Sequence, residues 1–174
     1  LKPGYNVQIA VDSKYTVAAD IFQDRNDVWT LVPFLKTMER NLGLRYPSVT
    51  ADSGYESEEA YTYLRSTKQK PCIKPQTYEK WKKRSFKQDI SRRENMGYDE
   101  KADTYTCHAG KTLIPVFVKK QKSKSGYESE VTVYECEDCS DCPYKEKCTN
   151  INKLHAKIQK ERLGSYLFPV KETA

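Results

Sequence analysis

No apolar run in this sequence approaches the roughly 18 residues that a bilayer-spanning helix needs, and mean hydropathy is −0.84. A membrane-spanning helix is therefore excluded. No basic-then-apolar leader opens the chain, so the expected compartment is the cytoplasm. There is no internal repeat and no long low-complexity tract. Disorder is excluded by what is present instead: thirteen Tyr, five Phe and two Trp are more bulky aromatics than disordered chains carry.

The length of 174 residues fits one ordinary domain, or one domain with a small appendage. Residue 1 is Leu, and the first strand-like run begins by Gly4-Tyr5. The C-terminal stretch Phe168-Pro169-Val170-Lys171 carries no cap. The expectation is an excised piece of a longer protein.

Charge is unevenly placed. The net charge is +6. Between Lys68 and Arg93 stand ten Lys and Arg against Glu79 and Asp89, a net +8, which leaves −2 for the rest of the chain. This segment also carries Tyr78, Trp81 and Phe86. Basic residues interleaved with aromatics suit a polyanion such as DNA, where neutralised phosphates release counterions and rings stack. The alternative is a solvated, Lys-rich helix face, and composition alone does not separate the two.

Periodicity gives the element order. Tyr5, Val7, Ile9 and Val11 alternate with polar or small residues, as do Tyr15, Val17, Ala19 and Ile21, with Ser13-Lys14 between them. This reads as an antiparallel hairpin of half-buried strands. Asp27 offers an N-cap, and Leu31, Phe34, Leu35, Met38 and Leu42 follow at helical spacing until Gly43. Ser48–Ala51 reads as a strand, Ser57-Glu58-Glu59 as the start of a helix to about Ser66, and Pro71–Pro75 as a strand parallel to its neighbour. The second half differs. A helix is expected around Tyr78–Ile90, strands at Thr104–Cys107, Leu113–Lys119 and Glu130–Cys136, a flexible tip at Lys119–Gly126, and a final helix over Ile151–Leu163.

Six cysteines occur, at positions 72, 107, 136, 139, 142 and 148. The run Cys136-x-x-Cys139-x-x-Cys142-x5-Cys148 is dense, and without secretion signals such spacing favours metal thiolates over disulfides. Zinc takes four soft ligands in a tetrahedron, and two-residue spacings let a tight knuckle aim two thiolates at one ion. The expected tetrad is Cys107, Cys139, Cys142 and Cys148, with Cys136 able to displace one of them. An iron–sulfur cluster is the rival, weakened by the five-residue last gap and the absence of Pro after Cys148. Cys72 reads as a buried core thiol. His108 and His155 read equally as surface residues or ligands.

Asp52 closes a short apolar strand ahead of Ser53-Gly54-Tyr55. A carboxylate at a strand's C-terminal edge is well placed to hold a hard divalent cation. The plainer reading is an N-cap or turn aspartate.

Three blocks together carry a resemblance: Gly4-Tyr5-Asn6-Val7-Gln8-Ile9-Ala10-Val11-Asp12, Thr50-Ala51-Asp52-Ser53-Gly54-Tyr55-Glu56-Ser57, and Cys139-Ser140-Asp141-Cys142-Pro143-Tyr144-Lys145-Glu146-Lys147-Cys148. In this order the chain resembles the DDE transposases of bacterial insertion sequences, in the group with an RNase H-like core and a Cys-rich insertion. The resemblance implies divalent ions, usually Mg2+, held on Asp, Asp and Glu. These ions serve strand cleavage and then attack of a 3′-hydroxyl on target DNA. Asp52 matches the family's second acid. The first lies in an Asp-Gly-Thr strand ahead of the hairpin, and the Glu in a Val-Glu-x-x-Phe-Gly helix; neither motif occurs here. Asp12 reads as a hairpin-turn residue rather than a substitute, and Glu161 lacks the Glu motif.

The resulting expectation is an α/β chain in three parts. Residues 1–75 form a partial RNase H-like core, 76–150 a basic, Cys-rich β insertion, and 151–174 a helical segment leading toward the missing catalytic helix. Its function is that of the central segment of a DNA transposase, inactive by itself, with Asp52 as metal ligand and Zn2+ in the Cys cluster. DNA contacts are expected from Lys80, Lys82, Lys83, Arg84, Arg92 and Arg93, and a homodimer is implied by the resemblance. The competing readings are a non-catalytic, zinc-stabilised DNA-binding module or decayed remnant, and an iron–sulfur electron-transfer protein.

Overall fold

The computed structural model describes residues 4–148 and the backbone of residues 157–161. The described residues are mixed α/β with three sheets, and the chain divides into two compact units, Leu1–Gln76 and Thr77–Ala174.

In the first unit, strands β1 (Asn6–Asp12) and β2 (Tyr15–Phe22) form the antiparallel hairpin. Its two-residue turn places Ser13 at φ 56°, and a bulge interrupts the register between Ala10 and Val11. The alternation is as expected, but the sense of burial is reversed. Gln8 is only 3% exposed, whereas Ile9 is 59% exposed and Val7 and Val11 are also open. The reason lies in hydrogen bonding: the Asn6 and Gln8 amides reach Asp27, and Gln8 also accepts from Tyr55. Polar contacts, not apolar burial, hold this face inward.

A 3-10 turn, Asp27–Trp29, follows; its cap is Asn26, one residue before the expected Asp27, with Oδ1 accepting from the Val28 N–H at 3.2 Å. Helix α1 (Leu31–Leu42) buries Leu31, Val32, Phe34, Leu35 and Met38. It ends where Gly43 turns left-handed at φ 64° and its N–H reaches the Glu39 carbonyl, a conformation a Cβ disfavours. Strand β3 (Ser48–Ala51), helix α2 (Glu58–Ser66) and strand β4 (Lys70–Ile73) make a βαβ unit, with β3 and β4 parallel. Ser57 caps α2 by accepting from the Ala60 N–H at 3.1 Å, and Glu58 and Glu59 complement the helix dipole. Cys72 is not the buried core thiol expected: it is exposed, and Ile73 beside it is buried. Strand alternation allows only one of two adjacent residues to face inward, and Ile73 takes that place.

In the second unit the expected single helix is two short ones, α3 (Tyr78–Lys82) and α4 (Arg84–Lys87), parted at Lys83, whose backbone is extended at ψ 134°. On one continuous helix Trp81 and Phe86 would point about 140° apart. The break resets that phase, and Phe86 turns in to be buried. A five-stranded antiparallel sheet follows in the order β5 (Gly97–Asp99), β6 (Thr104–Thr106), β7 (Thr112–Lys122), β8 (Glu128–Cys136) and β9 (Lys157–Glu161). Strand β5 is not anticipated by the sequence. Residues 157–161 form a strand where helical spacing is expected, because β9 pairs with β8 from Val131 to Glu135 and so satisfies an edge that carries the buried Val131 and Val133. The rest of the expected helix, and His155, lie outside the described residues. A short helix, α5 (Lys145–Cys148), closes the Cys-rich stretch. Tyr105, Leu113, Tyr134, Cys136 and Cys139 form the core here, with Met96, Cys107 and Cys148 against it. The Tyr105 and Tyr134 rings meet edge-on at 5.0 Å.

Candidate functional site

Asp52 follows directly on β3, at the C-terminal end of the parallel pair. Its carboxylate is exposed and caps the 3-10 turn Ser53–Tyr55, Oδ1 accepting from the Gly54 N–H at 2.7 Å. Of the two sequence readings of Asp52, the plainer one, a turn-capping aspartate, is what the geometry shows, and this one bond leaves its carboxylate with further acceptor capacity.

The residue that sequence reasoning missed is Asp27. A Cβ on Gly54 would stand 3.1 Å from Asp52 Oδ1 and 3.3 Å from Asp27 Oδ2. The absent side chain therefore leaves a notch flanked by two carboxylates. Asp27 Oδ1 accepts from Asn6 Nδ2 at 2.7 Å and from Gln8 Nε2 at 3.1 Å, which leaves Oδ2 on the Gly54 side. The Tyr55 hydroxyl donates to Gln8 Oε1. Burial, then the negative charges of Asp27 and Asp52, push the Tyr55 phenol above its ordinary range. Two carboxylates flank the Gly54 notch, oxygen donors of the kind that hard divalent cations take. Among the described residues no group of three or more His, Cys, Asp or Glu is arranged to hold an ion. The signal in the sequence was faint: polar Asn6 and Gln8 on the even positions of a strand whose odd positions are apolar. Asp12 stands at the hairpin turn, paired with Tyr15, as expected. Glu161 lies on β9.

In the second unit the cysteines converge. Cys107, Cys136, Cys139, Cys142 and Cys148, with His108, Ala109, Lys111 and Tyr144 among their neighbours, line one small cavity of about 20 Å3. All five are free thiols. The cavity is of the size that holds a single water or ion. The cysteines stand around it without a preformed ligand set: among the described residues, no group of three or more His, Cys, Asp or Glu has the arrangement to hold a metal ion. Burial pushes the Cys136 thiol up to about 11, with neighbouring Cys139 and Cys107 adding to the effect. Burial, then Cys107, Cys139 and Cys142, likewise raise Cys148. Cys136 donates to the Asp138 carbonyl at 3.5 Å. His108 is exposed and meets the Tyr144 ring edge-on at 4.8 Å.

The basic residues are not alike. Lys80, Lys82, Lys83 and Arg84 are exposed on α3, α4 and the break between them. Lys82 pairs with Glu79 at 3.2 Å and lies over the Tyr78 ring at 4.3 Å. Arg92 is half-buried, pairs with Asp89 at 3.0 Å and stacks on Phe86 at 4.4 Å, so it serves its own segment. Arg93 is half-buried as well.

Residues 106–166 match the protein-family model described as transposase DDE domain. The matched segment holds five of the six cysteines and excludes Asp52. No curated protein and no solved structure matches the chain. The match agrees with the transposase resemblance and contains one of its three sequence blocks, Cys139 to Cys148.

Proposed function

We propose that this chain is the central segment of a DNA transposase that cuts and joins DNA by metal-dependent phosphoryl transfer. The family match over residues 106–166 carries the reading. The first unit supports an RNase H-like core: a hairpin, a helix, then a strand that ends at Asp52 and runs parallel to β4. Strands β1 and β3 each have one edge without a partner among the described residues. Such edges suit a further strand, and the family's first Asp lies on one.

Asp52 would hold the divalent ion, with Asp27 across the Gly54 notch. Bound there, such an ion supplies Lewis-acid activation of the attacking oxygen and a clamp on the phosphate. The chain's own part is to fix the carboxylates: Gly54 holds one Asp52 oxygen, and the Asn6 and Gln8 amides hold Asp27. Two acids without the family's first Asp and its Glu are too few for a two-metal site, so the segment alone is inactive.

The basic helices Tyr78–Lys82 and Arg84–Lys87 supply phosphate contacts, and zinc, if bound, would have to draw Cys107, Cys139, Cys142 and Cys148 together at the cavity they line. The test is DNA affinity measured across a salt series. Charge reversal of Lys82, Lys83 and Arg84 to Glu is expected to flatten the slope of log K against log salt by about 3, near 0.9 for each lost phosphate contact. An unchanged affinity and slope would reject the DNA contact.

A further inference from the structure

Gln8 is the one residue of β1 that is fully buried, at 3% exposure, and it is polar. Burying an amide is costly unless its donors and acceptor are met, and here they are met from three places. Gln8 Nε2 donates to Asn6 Oδ1 at 2.7 Å on its own strand and to Asp27 Oδ1 at 3.1 Å in the turn before α1. Its Oε1 accepts from the Tyr55 hydroxyl, three residues beyond Asp52. Tyr55 belongs to the same 3-10 turn that Asp52 caps. One side chain thus joins the hairpin, the Asp27 turn and the Asp52 turn. A leucine would satisfy the alternation of a strand and would serve burial better. The amide is explained by what it holds.

We propose that Gln8 is a positioning residue for the Asp52 carboxylate: through Tyr55 and Asp27 it fixes the turn that presents Asp52 to a divalent ion. The inference rests on the reading of Asp52 as a metal ligand. Groups of this kind, which orient a ligand without touching the ion, typically change metal affinity by about 10- to 100-fold when removed. Gln8 does so without occupying the notch beside Gly54, since its amide is spent on Asn6, Asp27 and Tyr55.

The chain has seven glycines, so selective 15N-glycine labelling gives a sparse amide spectrum. The Gly54 amide, which donates to Asp52 Oδ1 at 2.7 Å, reports on that carboxylate. Mn2+ titrated into the 174-residue chain is expected to broaden Gly54 before the other glycines, and Asp52→Asn to abolish this. Gln8→Leu is expected to raise the Mn2+ concentration for half-broadening about tenfold and to shift the Gly54 amide. Tyr55→Phe, which removes one hydroxyl and leaves the ring, is the second variant should Gln8→Leu disturb folding, and is expected to act in the same direction. If both variants fold and bind Mn2+ at Gly54 as the unaltered chain does, the positioning role is overturned. If the unaltered chain shows no selective broadening, or Asp52→Asn keeps it, the reading of Asp52 fails and takes the proposal with it.

Discussion

The Tyr134 hydroxyl donates to Asp103 Oδ1 at 2.6 Å, and the Tyr98 hydroxyl donates to the same oxygen at 2.6 Å. Asp103 sits at φ 49°, in the left-handed region, and two phenols on one carboxylate oxygen hold it there. Burial, then the Asp103 charge, push the Tyr134 phenol well above its ordinary range. A phenol raised in this way stabilises the fold fully below the unfolded tyrosine value of about 10. Above that value the unfolded chain sheds its proton first, so stability falls as pH rises toward the folded value. Tyr134→Phe is expected to lower stability at pH 7 by about 1.5–3 kcal/mol, the range for a hydrogen bond to a charged group, and to flatten the loss above pH 10. Denaturant unfolding of both chains at pH 7, 9 and 10.5 checks this; equal alkaline slopes would reject the assignment.

Much of the first unit was legible because its signals are local. The Leu31–Leu42 helix declared itself by spacing and by Gly43, and the Glu58–Ser66 helix by Ser57 and two acids. The hairpin was found, but not which face turns in: that depends on Asp27 and Tyr55, 19 and 47 residues away from Gln8. Asp27 as a neighbour of Asp52 was hidden for the same reason. In the second unit local signals competed with pairing. Lys157–Glu161 reads as helical until β8 is there to pair with it. The cysteine spacing foretold a convergence and the structure has one, yet spacing does not say whether a ligand set is preformed.

Gly43 tests how firmly α1 is stopped. At φ 64° with open space where a Cβ would go, the cost of a side chain is purely conformational. Gly43→Ala is expected to destabilise the chain by about 1 kcal/mol, visible as a lower denaturant midpoint at an unchanged m-value. Gly4→Ala, also in open space but without a positive φ, is the control and is expected to be silent. A silent Gly43→Ala would mean the helix end is not held left-handed.

The cysteine cavity makes the sharpest demand. If zinc draws Cys107, Cys139, Cys142 and Cys148 together, the purified chain carries one zinc and shows no visible absorbance. Serine at any of those four positions is then expected to abolish the metal. Cys72→Ser, at an exposed residue away from the cluster, should keep it. Cys136→Ser should keep it too, because the Cys136 thiol is engaged by the Asp138 carbonyl. Zinc displaces thiol protons, so acidification is expected to release it as the ligands reprotonate. Visible absorbance with iron would instead assign the run to a cluster of iron and sulfur. A reduced chain that binds neither metal would leave these cysteines as packing residues around a 20 Å3 void.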